Sequence, residues 1–301
     1  MPGFPNKKCT SSFARYFLEW LLLFLIYKIF QALPFKCASD LGGALGKFIG
    51  PLLRVNNVAA DNIALAFPDF NSEKRAEILQ KMWENLGRTV AEFPHISVLS
   101  DKDFYKYVEV EGADKFHSLE QKKQGGIMIS GHFANWELAP KTAAVLEKKL
   151  ALIYRPANNP WVEKFIQNHR KSYQAEALPK GVRGARRALA VLKDGGLLGM
   201  LVDQKMNDGI AVPFLGRDAM TASAVAALAR KFSAAILPAR VIRLSGIHFK
   251  VIVEEPIFVA QSENADADIF AMLVEINQRL EGWIREHPEQ WFWVHKRWPK
   301  P

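Results

Sequence analysis

The sequence predicts an α/β protein whose largely parallel sheet is flanked by helices, led by an amino-terminal membrane-anchoring helix. Short apolar runs alternate with segments of helical periodicity through residues 126–254, the pattern of strands and helices repeating around a parallel sheet. One longer apolar run, at 12–33, stands apart from that alternation. Polar clusters follow three of the short runs, where open α/β sheets bind their ligands.

The 301 residues are 49% hydrophobic and 24% charged, which excludes a disordered chain and leaves ample material for a packed core. A mean hydropathy of −0.05 excludes a polytopic membrane protein. The 40 Lys and Arg against 31 Asp and Glu give a net charge of +9. Such an excess attracts nucleic acid, phosphorylated lipid, a membrane leaflet or an acidic carrier protein. No helix-turn-helix, RNP or zinc signature supports nucleic acid, and the long apolar run argues against it. Cys9 and Cys37 flank that run, too far apart to bridge across a helix, so no disulfide is expected.

From Ser12 to Leu33 the chain reads as one helix, which Pro34 ends. About 22 residues at a rise of 1.5 Å span about 30 Å, the thickness of a bilayer core. Arg15 and Glu19, four apart, partly neutralise each other, Lys28 can snorkel, and Trp20 and Tyr27 suit the headgroup level. A spanning helix is expected, and its three charges keep open a helix lying in the interface. A signal peptide is disfavoured because no small-x-small site follows. The chain divides into a tail and anchor at 1–34 and one domain at 35–301.

Beyond the anchor, Ser72 can cap a helix over 72–90, with Ile78, Met82, Trp83 and Leu86 on one face. Residues 105–111 alternate like a strand. Strands are expected at Gly126–Ser130, Leu150–Tyr154, 196–203 and 236–244, with helices at 137–149, 159–176, 183–194 and 219–232 between them. Residues 249–254 read as a final strand and 265–287 as a long closing helix.

The first polar cluster is Gly131-His132-Phe133-Ala134-Asn135-Trp136-Glu137, directly after a buried strand. On a continuous helix a spacing of five turns two side chains about 140° apart. If His132 instead precedes the helix, Glu137 falls in its first turns and can reach back to the imidazole. A carboxylate on one ring nitrogen fixes the tautomer and leaves the other nitrogen to take a proton. No serine or cysteine nucleophile is needed when the incoming substrate carries its own hydroxyl. A satisfied structural histidine beside an unrelated glutamate is the alternative that spacing alone leaves open.

The run Gly131–Glu137 resembles the H-x4-D/E motif of the glycerolipid acyltransferase superfamily, and within it the bacterial lipid A late acyltransferases, the lauroyl and myristoyl transferases. The resemblance covers nearly the whole chain. It includes Asn62-Ile-Ala-Leu-Ala-Phe-Pro68, the stretch from Asn85 to Glu92, and Tyr154-Arg-Pro-Ala-Asn-Asn-Pro160. Val202-Asp-Gln204, the stretch from Val212 to Gly216 with Thr221, and the ending from Pro288 to Trp298 complete the set. H-x4-E alone is weak; the ordered set is specific. The resemblance implies a glycerolipid acyltransferase-like fold, acyl carrier protein as thioester donor, no cofactor, and a phosphorylated, acylated glucosamine disaccharide as acceptor. It implies His132 as general base with Glu137 as its partner, and a catalytic domain on the cytoplasmic face of the inner membrane.

The other clusters are read as supports. Arg155 follows a strand and precedes proline, where it can clamp a phosphate or developing oxyanion, or tie the loop to a carboxylate. Asp203 and Gln204 end an apolar strand, where a charge needs a partner or a cleft. Substrate contact is expected of Arg155, Asp203, Gln204 and Asn135, while an Asp203–Arg155 pair stays open. Asn158 and Asn159 look like turn formers before Pro160. No cluster has metal-ligand spacing. Lys171, Lys180, Arg183, Arg186, Arg187 and the tail Lys296, Arg297, Lys300 form basic stretches suited to solvent, lipid phosphate or an acidic carrier. Trp291, Trp293 and Trp298 suit either a headgroup boundary or the core. A membrane-tethered hydrolase using the same His–Glu pair on water, or transfer to a lysophospholipid, are the competing activities.

Overall fold

The computed structural model describes residues 7–116, 125–171, 173 and 175–298, with side chains described from Phe13 onward. The strands are β1 (Val108–Glu111), β2 (Gly126–Ser130), β3 (Leu150–Tyr154), β4 (Glu176–Pro179), β5 (Leu197–Leu201), β6 (Ile210–Phe214), β7 (Arg217–Thr221), β8 (Ala235–Ser245) and β9 (His248–Val253). Seven of them form one sheet in the order β1-β9-β8-β2-β5-β3-β4. From β8 to β4 every pairing is parallel; β9 turns back antiparallel on β8 and β1 pairs parallel with β9. The largely parallel α/β sheet expected from the alternation is present. Its central strand β2 is buried at every position, with Ile127 and Ile129 in one core cluster and Met128 in the other. A strand covered on both faces reads as an unbroken apolar run, which is why period-2 alternation is absent there.

The helices are α1 (Lys7–Ala32), α2 (Phe35–Ile49), α3 (Val55–Ala66), α4 (Ser72–Ile96), α5 (Asp101–Tyr107), α6 (Leu138–Val145), α7 (Pro160–Lys171), α8 (Val182–Lys193), α9 (Ala224–Phe232) and α10 (Ala265–Glu286). Crossing of α2 and α4 is closer than side chains permit. A Cβ on Gly87 would collide with the Gly42 carbonyl, and one on Gly42 with Ala91. Beside that crossing lies a buried polar network. Glu92 is fully buried and accepts from Ser39 Oγ (2.6 Å), Asn135 Nδ2 (2.8 Å) and Arg243 Nη1 (2.6 Å). It ties α2, α4, β8 and the loop after β2 together.

Several element boundaries differ from the sequence reading, three of them where a strand or hairpin meets a helix. Residues 105–107 end a helix, whose first turn Ser100 caps by accepting the Asp103 N–H at 3.1 Å, and the strand begins only at Val108. The helix expected over 159–176 stops at Lys171, and Glu176 opens the edge strand β4. Residues 217–221 belong to the β6–β7 hairpin, so the next helix starts at Ala224.

The expected spanning anchor is corrected. Residues 7–32 are helical, but among the described residues no helix is long and apolar enough to cross a membrane. Length is sufficient; Arg15, Glu19 and Lys28 dilute the apolar run. One side of α1 is instead docked on the domain. Asn159 Nδ2 donates to the Tyr16 carbonyl (2.8 Å) and to Glu19 (3.0 Å), Trp161 packs on Phe13, Phe17 and Trp20, and Phe165 packs on Tyr27. Asn159 is therefore a helix tether as well as a turn former. Phe13, Leu18, Leu22, Leu25 and Ile29 face outward, exposed. Cys37 is free and exposed, whereas the side chains of Cys9, Lys7 and Lys8, and Lys300, lie outside the described residues.

Candidate active site

Strand register builds the centre of the site. Ser130 of β2 pairs with Leu201 of β5, so His132 and Asp203 each lie two residues beyond a paired position. Asp203 Oδ1 stands 2.8 Å from His132 Nδ1, and Asp203 Oδ2 accepts the His132 backbone N–H at 2.7 Å and the Trp291 indole N–H at 2.8 Å. Gly131 permits this approach: a Cβ there would press on the Phe133 ring and on Asp203. Burial of Asp203 opposes its charge, but the adjacent His132 and these hydrogen bonds outweigh burial and hold its carboxyl well below the usual carboxylate range. An ionised Asp203 accepts only, so His132 carries its proton on Nδ1 and presents a lone pair on Nε2.

The Glu137 contact expected of His132 is not formed. Glu137 is buried and its carboxylate takes Arg170 Nη2 at 2.7 Å and Nε at 3.5 Å. Burial opposes the Arg170 charge, yet the pairing with Glu137 leaves the guanidinium above its ordinary range. Helix α6 starts at Leu138, so Glu137 sits at its cap, and its carboxylate turns toward Arg170 of α7. The intervening Trp136 packs edge-on against the His132 ring at 5.1 Å.

Asn135 is fully buried and donates to Glu92. Ala134 before it has φ of 44°, a left-handed conformation that costs a non-glycine residue about 1 kcal/mol or more. Its N–H donates to the Gln290 carbonyl (2.9 Å) and its own carbonyl accepts from Thr89 Oγ1 (2.9 Å) and Asn85 Nδ2 (3.3 Å), which fixes the turn. Arg155 is exposed, without a hydrogen bond or ion pair among the described residues, so the Asp203–Arg155 pair is absent.

Gln204 Nε2 is 3.1 Å from His132 Nε2 and 3.5 Å from His132 Nδ1. Near-equal distances place the amide over the ring face; a group on the in-plane lone pair of one nitrogen would be much farther from the other. The Nε2 lone pair is thus open. The same amide donates to His295 Nε2 at 2.7 Å. Burial foremost, and then the closeness of the His132 ring, push His295 down to about 4, so it is neutral at pH 7. The segment 290–298 closes the site: the Phe292 N–H donates to the His132 carbonyl at 3.1 Å, and Asn62 Nδ2 holds the Trp293 and His295 carbonyls. Trp291, Trp293 and Trp298 are buried core residues, and Arg297 is fully buried on Met220 and Thr221. Sequence reading missed Arg170, which has no local signature, and His295, which it held only as part of a terminal motif.

Gln204 also lines a groove of about 650 Å³ between α8, α9 and the ends of β4 and β5. Its walls are mainly apolar, including Leu178, Ala188, Leu189, Val225, Ala227 and Leu228, and Lys180, Lys205 and Lys231 stand on its rim. That volume lies within the roughly 300–1,000 Å³ usual for small-molecule clefts.

Residues 4–300 match the family described as bacterial lipid A biosynthesis acyltransferase. The chain belongs to this family. Among its relatives is the lipid A biosynthesis palmitoleoyltransferase of Escherichia coli K12, 25% identical over 98% of this chain and 95% of that one. The lipid A biosynthesis lauroyltransferase of the same strain is 25% identical over 99% and 96%. A solved 1-acyl-sn-glycerophosphate acyltransferase of Thermotoga maritima aligns with a TM-score of 0.40 at 14% identity, covering 89% of this chain and 100% of that one. Family membership supports an acyltransferase of lipid A biosynthesis, and with it a lipid A-type acceptor.

Proposed function

We propose that this lipid A acyltransferase moves a fatty acyl chain from an acyl carrier protein thioester to a hydroxyl of a lipid A precursor, with His132 as general base. The observation that carries this reading is an imidazole locked by buried Asp203 with its Nε2 lone pair open beside an apolar groove. In the reaction, His132 Nε2 takes the acceptor hydroxyl proton while the oxygen attacks the thioester carbonyl. Collapse of the tetrahedral intermediate breaks the carbon–sulfur bond, and the imidazolium returns its proton to the leaving thiolate. The products are an ester and the carrier thiol, with no cofactor consumed.

Asp203 acts on His132 as the orienting carboxylate. Glu137 acts behind His132, holding Arg170 and the start of α6, and Arg155 is free to meet a phosphate of the acceptor. The groove takes the acyl chain and its lysine rim suits the acidic carrier. We propose further that the outward apolar side of α1, with exposed Phe48 and Leu52 after it, lies in the cytoplasmic leaflet of the inner membrane. The cytosolic donor sets that side.

The test is to incubate purified protein with acyl carrier thioester and a lipid A precursor and to weigh the lipid products. One added acyl chain on the precursor is expected. Free fatty acid released equally with or without precursor would make the protein a hydrolase, and acylation of lysophospholipid instead would move it to another acceptor.

A further inference from the structure

We infer that Gln204 supplies the hydrogen bond that stabilises the oxyanion of the tetrahedral intermediate, and that His295 is the positioning residue that aims its amide. This inference rests on the acyl-transfer reading above. A primary amide has two N–H bonds, and here they have unequal partners. One points to His295 Nε2 at 2.7 Å, a short bond to a ring nitrogen. The other lies over the face of His132, where an N–H makes only a weak contact. It is the polar hydrogen of the site least committed to the fold.

Position favours the same role. An acceptor hydroxyl on His132 Nε2 must lie within about 3 Å of that nitrogen, and Gln204 Nε2 is itself 3.1 Å from it. Gln204 also lines the apolar groove. A thioester whose chain lies in that groove therefore brings its carbonyl to the amide and to the base together. As His132 accepts the proton, its ring face becomes cationic and stops attracting an N–H. In the same step the carbonyl oxygen becomes anionic, so the amide hydrogen is transferred from a failing partner to a growing one.

His295 determines which end of the amide faces inward. Burial keeps this imidazole neutral. With its lone pair on Nε2 it accepts and holds the nitrogen end of Gln204 in the site; reversal would set two lone pairs against each other. Its own backbone is pinned by Asn62 at 2.5 Å, so the acceptor is fixed in place.

The experiment measures kcat and KM for acyl transfer to the precursor in three variants, with thermal melts to confirm folding. Gln204→Glu keeps the shape but removes the N–H, and kcat is expected to fall about 100- to 1,000-fold with KM for the donor little changed. His295→Ala is expected to lower kcat about tenfold, His295→Gln to restore most of it through its carbonyl oxygen, and His295→Ala added to Gln204→Glu to cost nothing more. Gln204→Glu retaining more than a third of wild-type kcat, or a loss confined to KM, overturns the inference while the acyl-transfer reading stands. Wild-type protein that transfers no chain to any acceptor overturns both.

Discussion

Asp203 binds His132 twice, taking the ring N–H on one carboxylate oxygen and the backbone N–H of the same residue on the other. The side chain that fixes the tautomer also fixes the backbone from which the imidazole hangs. Neither the position nor the tautomer of the base is left to the substrate.

Asp203→Asn is expected to lower kcat by about three to four decades, since an amide can donate to Nδ1 and reverse the tautomer. Combining it with His132→Ala should be hardly worse than His132→Ala alone, because the two act as a unit. Steady-state kinetics on the three variants check this, and additive losses would separate the residues.

The Glu137–Arg170 pair should behave differently. Arg170→Met leaves a buried carboxylate unpaired and is expected to destabilise the fold by about 3 kcal/mol. Adding Glu137→Gln should recover part of that loss. Denaturant unfolding measures both, and Glu137→Gln should reduce kcat far less than Asp203→Asn does.

Chain preference should follow the groove. Ala227→Phe adds a ring to a half-buried wall position and is expected to shift selection toward shorter acyl chains, with transfer of the shortest nearly unchanged. Competition between acyl carrier thioesters of graded length, read by product mass, checks it.

Acid stability should depend on His169. Burial pushes this residue down to about 4 from its usual 6.5; it stacks on Phe93 and faces the Tyr173 hydroxyl at 2.9 Å. A base whose folded pKa is depressed takes up protons in the unfolded chain first. Stability therefore falls as pH drops below about 6.5 and is lost progressively down to about 4, by roughly 2–3 kcal/mol. His169→Phe should flatten the Tm profile over that window.

Liposome sedimentation tests the membrane face. Leu18→Ser with Leu22→Ser is expected to reduce binding to anionic vesicles severalfold while leaving the melting temperature within a few degrees, since both positions are exposed.

Much of the sheet was legible because buried parallel strands leave short apolar runs of fixed length: the boundaries expected for β2 and β3 are those found. The edges were less legible. Strand β4 starts on exposed Glu176 and presents one buried residue, Leu178, and the β6 strand contains Pro213, so neither carries a core strand's pattern. In the site, His132 could be read from its place after a strand, but its partner could not. Glu137 is five residues away and Asp203 is 71, and only strand pairing, a long-range fact, brings the second closer. Asn135 shows the converse: a polar residue inside a motif can serve the core, here through Glu92.

The Ser130–Leu201 register has a further consequence for how this chain tolerates change in length. His132 and Asp203 are aligned by two neighbouring strands, as two rulers are aligned by their marks, and not by the chain that runs between them. Residues can be added at an exposed turn such as Asp194–Gly195 without moving either mark. Loss of a single residue within 197–201 is different: it turns every later side chain to the opposite face of the sheet and carries Asp203 away from the imidazole. Length variants of this enzyme should therefore divide sharply, with surface insertions active and single deletions in β2 or β5 inert.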